Sequence, residues 1–403
     1  MRHVLMRAGR GAAVALTCAG LMTSLAGCTG SGVAAMGKPP SPEDTIRVIP
    51  DDGAREVLAG GPLEIRLPSG RLERVKVMRI ESETPTPVPG RISEDELRWQ
   101  PTDGTRLDLA AKYSVDVVAL DAHGRRSARH TTFTTKVPEH RFIGYFKPEN
   151  RATVGTGMIV SFDFNQKIEN RAAVERAIKV TSDPPVEIVG HWFDKDRLDL
   201  RPESYWEPGT RVTVAVRLRD IEAAPGSYGI QDKTVSFTVG RSQVSLVDAE
   251  AKTMAVRRDG QLLATVPITA GAPKSTTYNG KMVVSDLYDV TRMDGRTVGF
   301  GGEYDIKDVP HAMRLTESGT YLHGNYWAAA DIFGSVNVSH GCIGLRDVKG
   351  GSGDTPAGWF FDRTLVGDVV EVINSRDKLV APSNGLSGWN LPWASWKEGS
   401  ALR

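Results

Sequence analysis

The sequence predicts a mainly β protein in three folded parts, and three observations carry that reading. A chain of 403 residues, 40% hydrophobic and 25% charged, has the apolar material for two or three domains. From residue 44 onward, short runs alternate apolar and polar residues between Gly, Pro and Asp, the pattern of half-buried strands closed by turns. A weak internal repeat of about 100 residues then lays Gly90, Leu97 to Pro101, Tyr113 to Ala119 and Thr132-Phe133-Thr134 onto Gly190, Leu198 to Pro202, Val212 to Leu218 and Ser236-Phe237-Thr238. A unit of that length and pattern suits an immunoglobulin-like sandwich without the Cys pair of antibody domains.

Taken in order, residues 1 to 27 read as a secretory leader. Arg2, Arg7 and Arg10 precede an apolar stretch from Gly11 to Leu25, and Leu25-Ala26-Gly27-Cys28 has the form of a bacterial lipobox. Cleavage there would leave Cys28 diacylated, and two acyl chains suffice for stable attachment to the outer face of the cytoplasmic membrane. Residues 28 to 43, small and rich in Gly and Pro, are expected to be a flexible tether.

The two sandwiches are expected at 44 to 138 and 139 to 240, with one helix at Asn170 to Ile178 in the second. They serve as spacers, or they bind glycan or a partner through exposed aromatics such as Trp192 and Trp206. The third part, 241 to 374, continues in strands at Gln243 to Asp248, Thr253 to Arg257, Gln261 to Thr269, Lys281 to Ser285 and Val369 to Ile373, with a helix around Ala357 to Arg363. Residues 295 to 308, with Gly299, Gly301 and Gly302, read as a mobile lid. The tail, 375 to 403, spaces Trp389, Trp393 and Trp396 for one helical face, against which Pro392 argues.

The formal charge is +1, and about −2 without the three leader arginines, so no basic patch argues for nucleic acid. Neither CxxC nor HExxH spacing occurs, so no zinc site is expected, and a thiol, an imidazole and backbone donors would need no other cofactor. Cys18 leaves with the leader and Cys28 is committed to lipid, which leaves Cys342 without an intrachain disulfide partner in an oxidising compartment.

Cys342 lies in Ser339-His340-Gly341-Cys342-Ile343-Gly344-Leu345, downstream of His323. A thiol of pKa about 8.5 needs a neighbouring base to react near neutrality, and an imidazole can take its proton and return it to a leaving amine. A structural Cys beside two satisfied histidines is the plain alternative. Gly341 and Cys342 are expected to offer backbone N–H groups to a developing oxyanion. The residues alone leave open whether His323 or His340 is the base.

This stretch resembles the L,D-transpeptidase catalytic domain, whose signature is a His followed at a distance by Ser/Thr-His-Gly-Cys, a small apolar residue and often Asn. The likeness covers residues 241 to 374 and extends to multi-domain lipoprotein enzymes of actinobacterial type, which implies a C-terminal extension packed on the preceding domains. Gly344 stands where many relatives carry Asn, removing a side-chain amide. The resemblance implies Cys342 as nucleophile and His323 as base, oriented by the Gly324 carbonyl, with Ser339, His340 and Gly341 shaping the site. It also implies a flap tyrosine at Tyr304, donor alignment by the Ser318-Gly319 backbone, and a pocket lined by Met293 and Trp327.

The reaction so implied is peptidoglycan crosslinking. Cys342 takes the acyl group of a donor tetrapeptide stem as a thioester, D-Ala leaves, and an amine of an acceptor stem resolves it as a 3→3 link. Carbapenem-type β-lactams would acylate the same thiol. The alternatives are an exported L,D-carboxypeptidase or cysteine peptidase, in which water resolves the acyl-enzyme, and a non-catalytic wall-binding lipoprotein.

Overall fold

The computed structural model describes residues 45–80, 85–103 and 105–402. Cys28, the leader and the whole of the tether lie outside these residues. The described chain is built mostly from strands, as the alternation requires.

In the first sandwich, Arg47–Ile49, Glu64–Arg66, Arg98–Pro101 and Gly90–Ile92 form one sheet. Thr86–Pro87, Arg71–Arg79, Lys112–Leu120 and Arg126–Thr134 form the other. Lys112–Leu120 shows why this sequence makes a strand: Tyr113, Val115, Val117 and Ala119, at period two, are buried against Ile65 and Trp99 of the facing sheet.

The second sandwich pairs Gly144–Lys147, Val160–Phe164, Arg197–Arg201 and Val189–Phe193 in one sheet, with Thr153–Val154, Asp232–Val239, Arg211–Arg217 and Ile178–Asp183 in the other. Its helix, Arg171–Arg176, is capped by Asn170, whose side chain accepts from the Ala173 N–H. Trp192 and Trp206 are core residues. Their indole N–H groups donate to Glu175 at 2.8 Å and to the Met158 carbonyl at 2.7 Å, so the alternative of exposed contacts through these two aromatics does not hold.

The third part is one nine-stranded sheet. Its order is Gly280–Val283, Val369–Ile373, Gln243–Asp248, Thr253–Arg258, Gln261–Thr269, Ile343–Arg346, Tyr321–Asn325, Asp305–Arg314 and Asp286–Asp294. The last two form a hairpin with the Gly-rich segment at its tip, so residues 305–308 are strand rather than lid. The helix Pro356–Phe361 starts with Pro at its first turn and is capped by Thr355, whose hydroxyl accepts from the Gly358 N–H.

The tail corrects the doubt raised by Pro392. That proline precedes the helix Trp393–Glu398 instead of interrupting it, and Trp389 sits in a separate 3-10 turn, Gly388–Asn390. Trp389 and Leu386 join Val283 and Val369 of the nine-stranded sheet and Phe162 and Leu198 of the second sandwich in one continuous core. Between the first two sandwiches the buried apolar cluster is small: Ala59, Leu109 and Tyr228.

Candidate active site

Tyr321–Asn325 and Ile343–Arg346 run parallel, with Leu322 opposite Ile343 and His323 opposite Gly344. That pairing brings together two segments far apart in sequence and sets His323 beside the residues that follow Cys342. Successive strand side chains alternate faces, so His323 and Asn325 share one face. Both line a cavity of about 380 Å³ together with Cys342, Tyr304, Trp327 and Met293.

His323 is 4% exposed, and its Nδ1 lies 2.9 Å from the Gly324 carbonyl. A carbonyl can only accept, so Nδ1 carries the proton and Nε2 is left as the basic nitrogen. The ring stacks on Trp327, centroids 5.6 Å apart. Burial lowers the His323 pKa, opposed by the Gly324 contact and by the Asp347 carboxylate. Cys342 is half-buried as a residue, but desolvation of its sulfur pushes the thiol up to about 11, partly offset by the Tyr321 N–H. The resting pair is therefore a neutral thiol and a neutral imidazole.

The cysteine loop is held from within. Ser339 Oγ donates to the Cys342 carbonyl at 2.6 Å and accepts from the Gly341 N–H at 3.1 Å. The Ser339 carbonyl accepts from Ala272 N–H at 2.8 Å. This corrects one expectation: the Gly341 N–H is already engaged by a hydroxyl and is not free for an oxyanion.

Other expected site residues divide. The Gly319 carbonyl lies 3.5 Å from Cys342 Sγ, at the reacting centre. Ser318 is turned away, its N–H and hydroxyl both engaged by the Asn384 side chain of the tail. His340 is engaged by the lid: its Nε2 pairs with Glu303 at 3.0 Å and its ring meets Phe300 and Tyr304. Tyr304 enters the cavity from the lid, and burial, together with the nearby Cys342, raises its hydroxyl to about 12, so it remains a proton donor.

Two features escaped the sequence reading. Asn325 lines the cavity, and its i+2 spacing from His323 on a strand was the available signal. Asp347 is buried behind Gly324, where a Cβ would come within 1.9 Å of its Oδ2. It bonds His311 Nδ1 at 2.7 Å and accepts from Thr355 Oγ1 at 2.9 Å. No sequence spacing signals that approach, because it is made between strands.

A half-buried Cys immediately before one strand and a buried His on its parallel neighbour share an apolar cavity, and comparison with known proteins gives the family. A family model described as the L,D-transpeptidase catalytic domain matches residues 242–372, and one described as a bacterial Ig domain matches residues 54–222. L,D-transpeptidase 2 of Mycobacterium tuberculosis (strain CDC 1551 / Oshkosh) is 32% identical over 353 residues, 87% of this chain and 83% of the relative. L,D-transpeptidase 5 of Mycobacterium tuberculosis (strain ATCC 25618 / H37Rv) is 28% identical over 396 residues, 96% of this chain and 82% of the relative. A solved LD transpeptidase in complex with imipenem covers 59% of this chain and 100% of its own, with 30% identity and a TM-score of 0.48. The chain belongs to the L,D-transpeptidases.

Proposed function

We propose that this enzyme forms 3→3 peptidoglycan crosslinks through a Cys342 thioester. The observation that carries the reading is the shared cavity, in which a neutral His323, its tautomer fixed by Gly324, faces the same space as the thiol. His323 Nε2 takes the Cys342 proton as sulfur attacks the carbonyl of the donor's third residue. The C–N bond then breaks, His323 returns the proton to the departing D-Ala amine, and the acyl group stays on sulfur. An acceptor amine on another stem's third residue attacks next. It gives its proton to His323, the C–S bond breaks, and the thiol is restored.

With Gly341 engaged, the donors available to the oxyanion are the Cys342 N–H and the Tyr304 hydroxyl. Trp327 and Met293 supply apolar walls that exclude water. Carbapenems would be attacked at the lactam carbonyl by the same thiol.

Mature protein is expected to gain the mass of one carbapenem on Cys342 and to release 3→3 muropeptide dimers, and Cys342→Ala should do neither. Dimers from that variant would overturn the nucleophile. Product analysis with and without acceptor separates transfer from hydrolysis. The Cys28 lipid anchor on the outer membrane face belongs to the same proposal and is tested by palmitate labelling, which Cys28→Ala should abolish.

A further inference from the structure

Asn325 is 5% exposed and lines the cavity beside His323. Its Oδ1 accepts from the Ala328 N–H at 3.0 Å. Only the oxygen can accept, so this contact fixes the amide and turns Nδ2 the other way. There Nδ2 meets no acceptor among the described residues, and it is not among the side-chain atoms sealed off without a partner. The residue is buried but this amide donor is open to the cavity, where a ligand oxygen or water can complete it.

Gly344 explains why the amide stands at 325. A Cβ built on Gly344 would lie 3.3 Å from Asn325 Nδ2 and 2.9 Å from Thr269 Cγ2. Thr269 cannot turn aside, because its Oγ1 donates to the Val336 carbonyl at 2.8 Å and accepts from the Val338 N–H at 3.2 Å. A side chain at 344 would have to displace Thr269 and would crowd Asn325, so side chains at 344 and 325 compete for one space.

We propose that Asn325 is a donor-binding residue whose Nδ2 hydrogen-bonds a carbonyl or carboxylate oxygen of the donor stem peptide, supplying from strand Tyr321–Asn325 the amide that Gly344 lacks. This rests on the acyl-enzyme reading above. The bond forms on binding and persists through attack, so its loss belongs in KM more than in kcat.

The test uses the mature chain, a tetrapeptide donor and D-Ala release, with acylation of Cys342 followed by intact mass. Asn325→Asp keeps the Oδ1 contact to Ala328 and removes the donor. It should raise KM for the tetrapeptide about tenfold while the melting temperature and the rate of Cys342 alkylation by iodoacetamide stay at wild-type values. Gly344→Asn should lose acylation through the clash, and adding Asn325→Ala with Thr269→Ser should recover it. Unchanged KM in both Asn325→Asp and Asn325→Ala overturns the binding role, and wild-type kinetics in Gly344→Asn overturn the competition for space. If wild-type protein itself never carries an acyl group on Cys342, the acyl-enzyme reading fails first and this proposal with it.

Discussion

At the residue scale, the thiol is held protonated and the imidazole neutral by the same cause, removal of both from water. On the acyl-enzyme proposal, such a pair reacts by concerted proton removal and not through a standing thiolate. Because burial lowers the His323 pKa, protonation disables the base only below its ordinary value of about 6.5. Carbapenem acylation rates should therefore hold to lower pH than an exposed His would allow, and an acid limb centred above that value would contradict the assignment. His323→Gln should lose on the order of 10²- to 10⁴-fold in acylation rate. Asp347 raises the His323 pKa, so Asp347→Asn should move the acid limb further down in pH, read from the same profile. That Cys342, His323 and Gly324 come together was legible in the sequence, because they sit in a short, specific pattern. Asn325 was signalled only by its i+2 spacing from His323, and Asp347 by nothing, because its approach to Gly324 and His311 joins segments with no fixed spacing.

At the element scale, the lid is tied at both ends to the machinery it covers. At its base Arg292 makes a bidentate pair with Asp305 across the hairpin, at 2.7 and 2.8 Å. At its tip Glu303 and Phe300 rest on His340, inside the cysteine motif. Gly319 joins the lid to the thiol. Its φ is +96°, and a Cβ there would come within 2.3 Å of Val298 in the lid, while its carbonyl faces Cys342. Gly319→Ala should add backbone strain on the order of 1–3 kcal/mol and push the lid from its seat. Stopped-flow acylation should slow by more than a stability-matched variant in the first sandwich, and equal slowing would argue against lid coupling. The lid reading of the glycines overran into the strand, because Asp305–Arg314 opens with Asp305, Lys307 and Asp308 around a single apolar Ile306. A projecting hairpin has only weak alternation to read.

At the scale of the whole molecule, the second sandwich and the catalytic sheet are one packed body, and the tail is the strap between them. Trp389 Nε1 donates to the Gly157 carbonyl at 2.7 Å, and Trp396 Nε1 donates to the Val189 carbonyl at 2.9 Å. Arg201 lies buried between the faces of Trp389, Trp393 and Trp396 and donates to the Pro202 and Leu391 carbonyls, its pKa lowered to about 10 by desolvation. Arg197 pairs with Asp199, donates to the Ser383 and Gly385 carbonyls of the tail, and reaches Glu317 at 3.2 Å, two residues before Gly319. The second sandwich thus props the turn that faces the thiol, which makes a mere spacer role fit the first sandwich only. That first unit meets the second through Ala59, Leu109 and Tyr228 and a bond from the Leu109 N–H to Asp220 at 3.2 Å. With Lys136 Nζ over the Tyr228 ring these contacts are few, and the two bodies are expected to unfold separately. Calorimetry should show two transitions. Trp396→Ala, which empties a fully buried indole site, should cost the larger body about 3–5 kcal/mol and lower its transition alone, with a parallel loss of Cys342 acylation near the new midpoint. A single transition, or a shift of both together, would show that the first sandwich shares the cooperative unit.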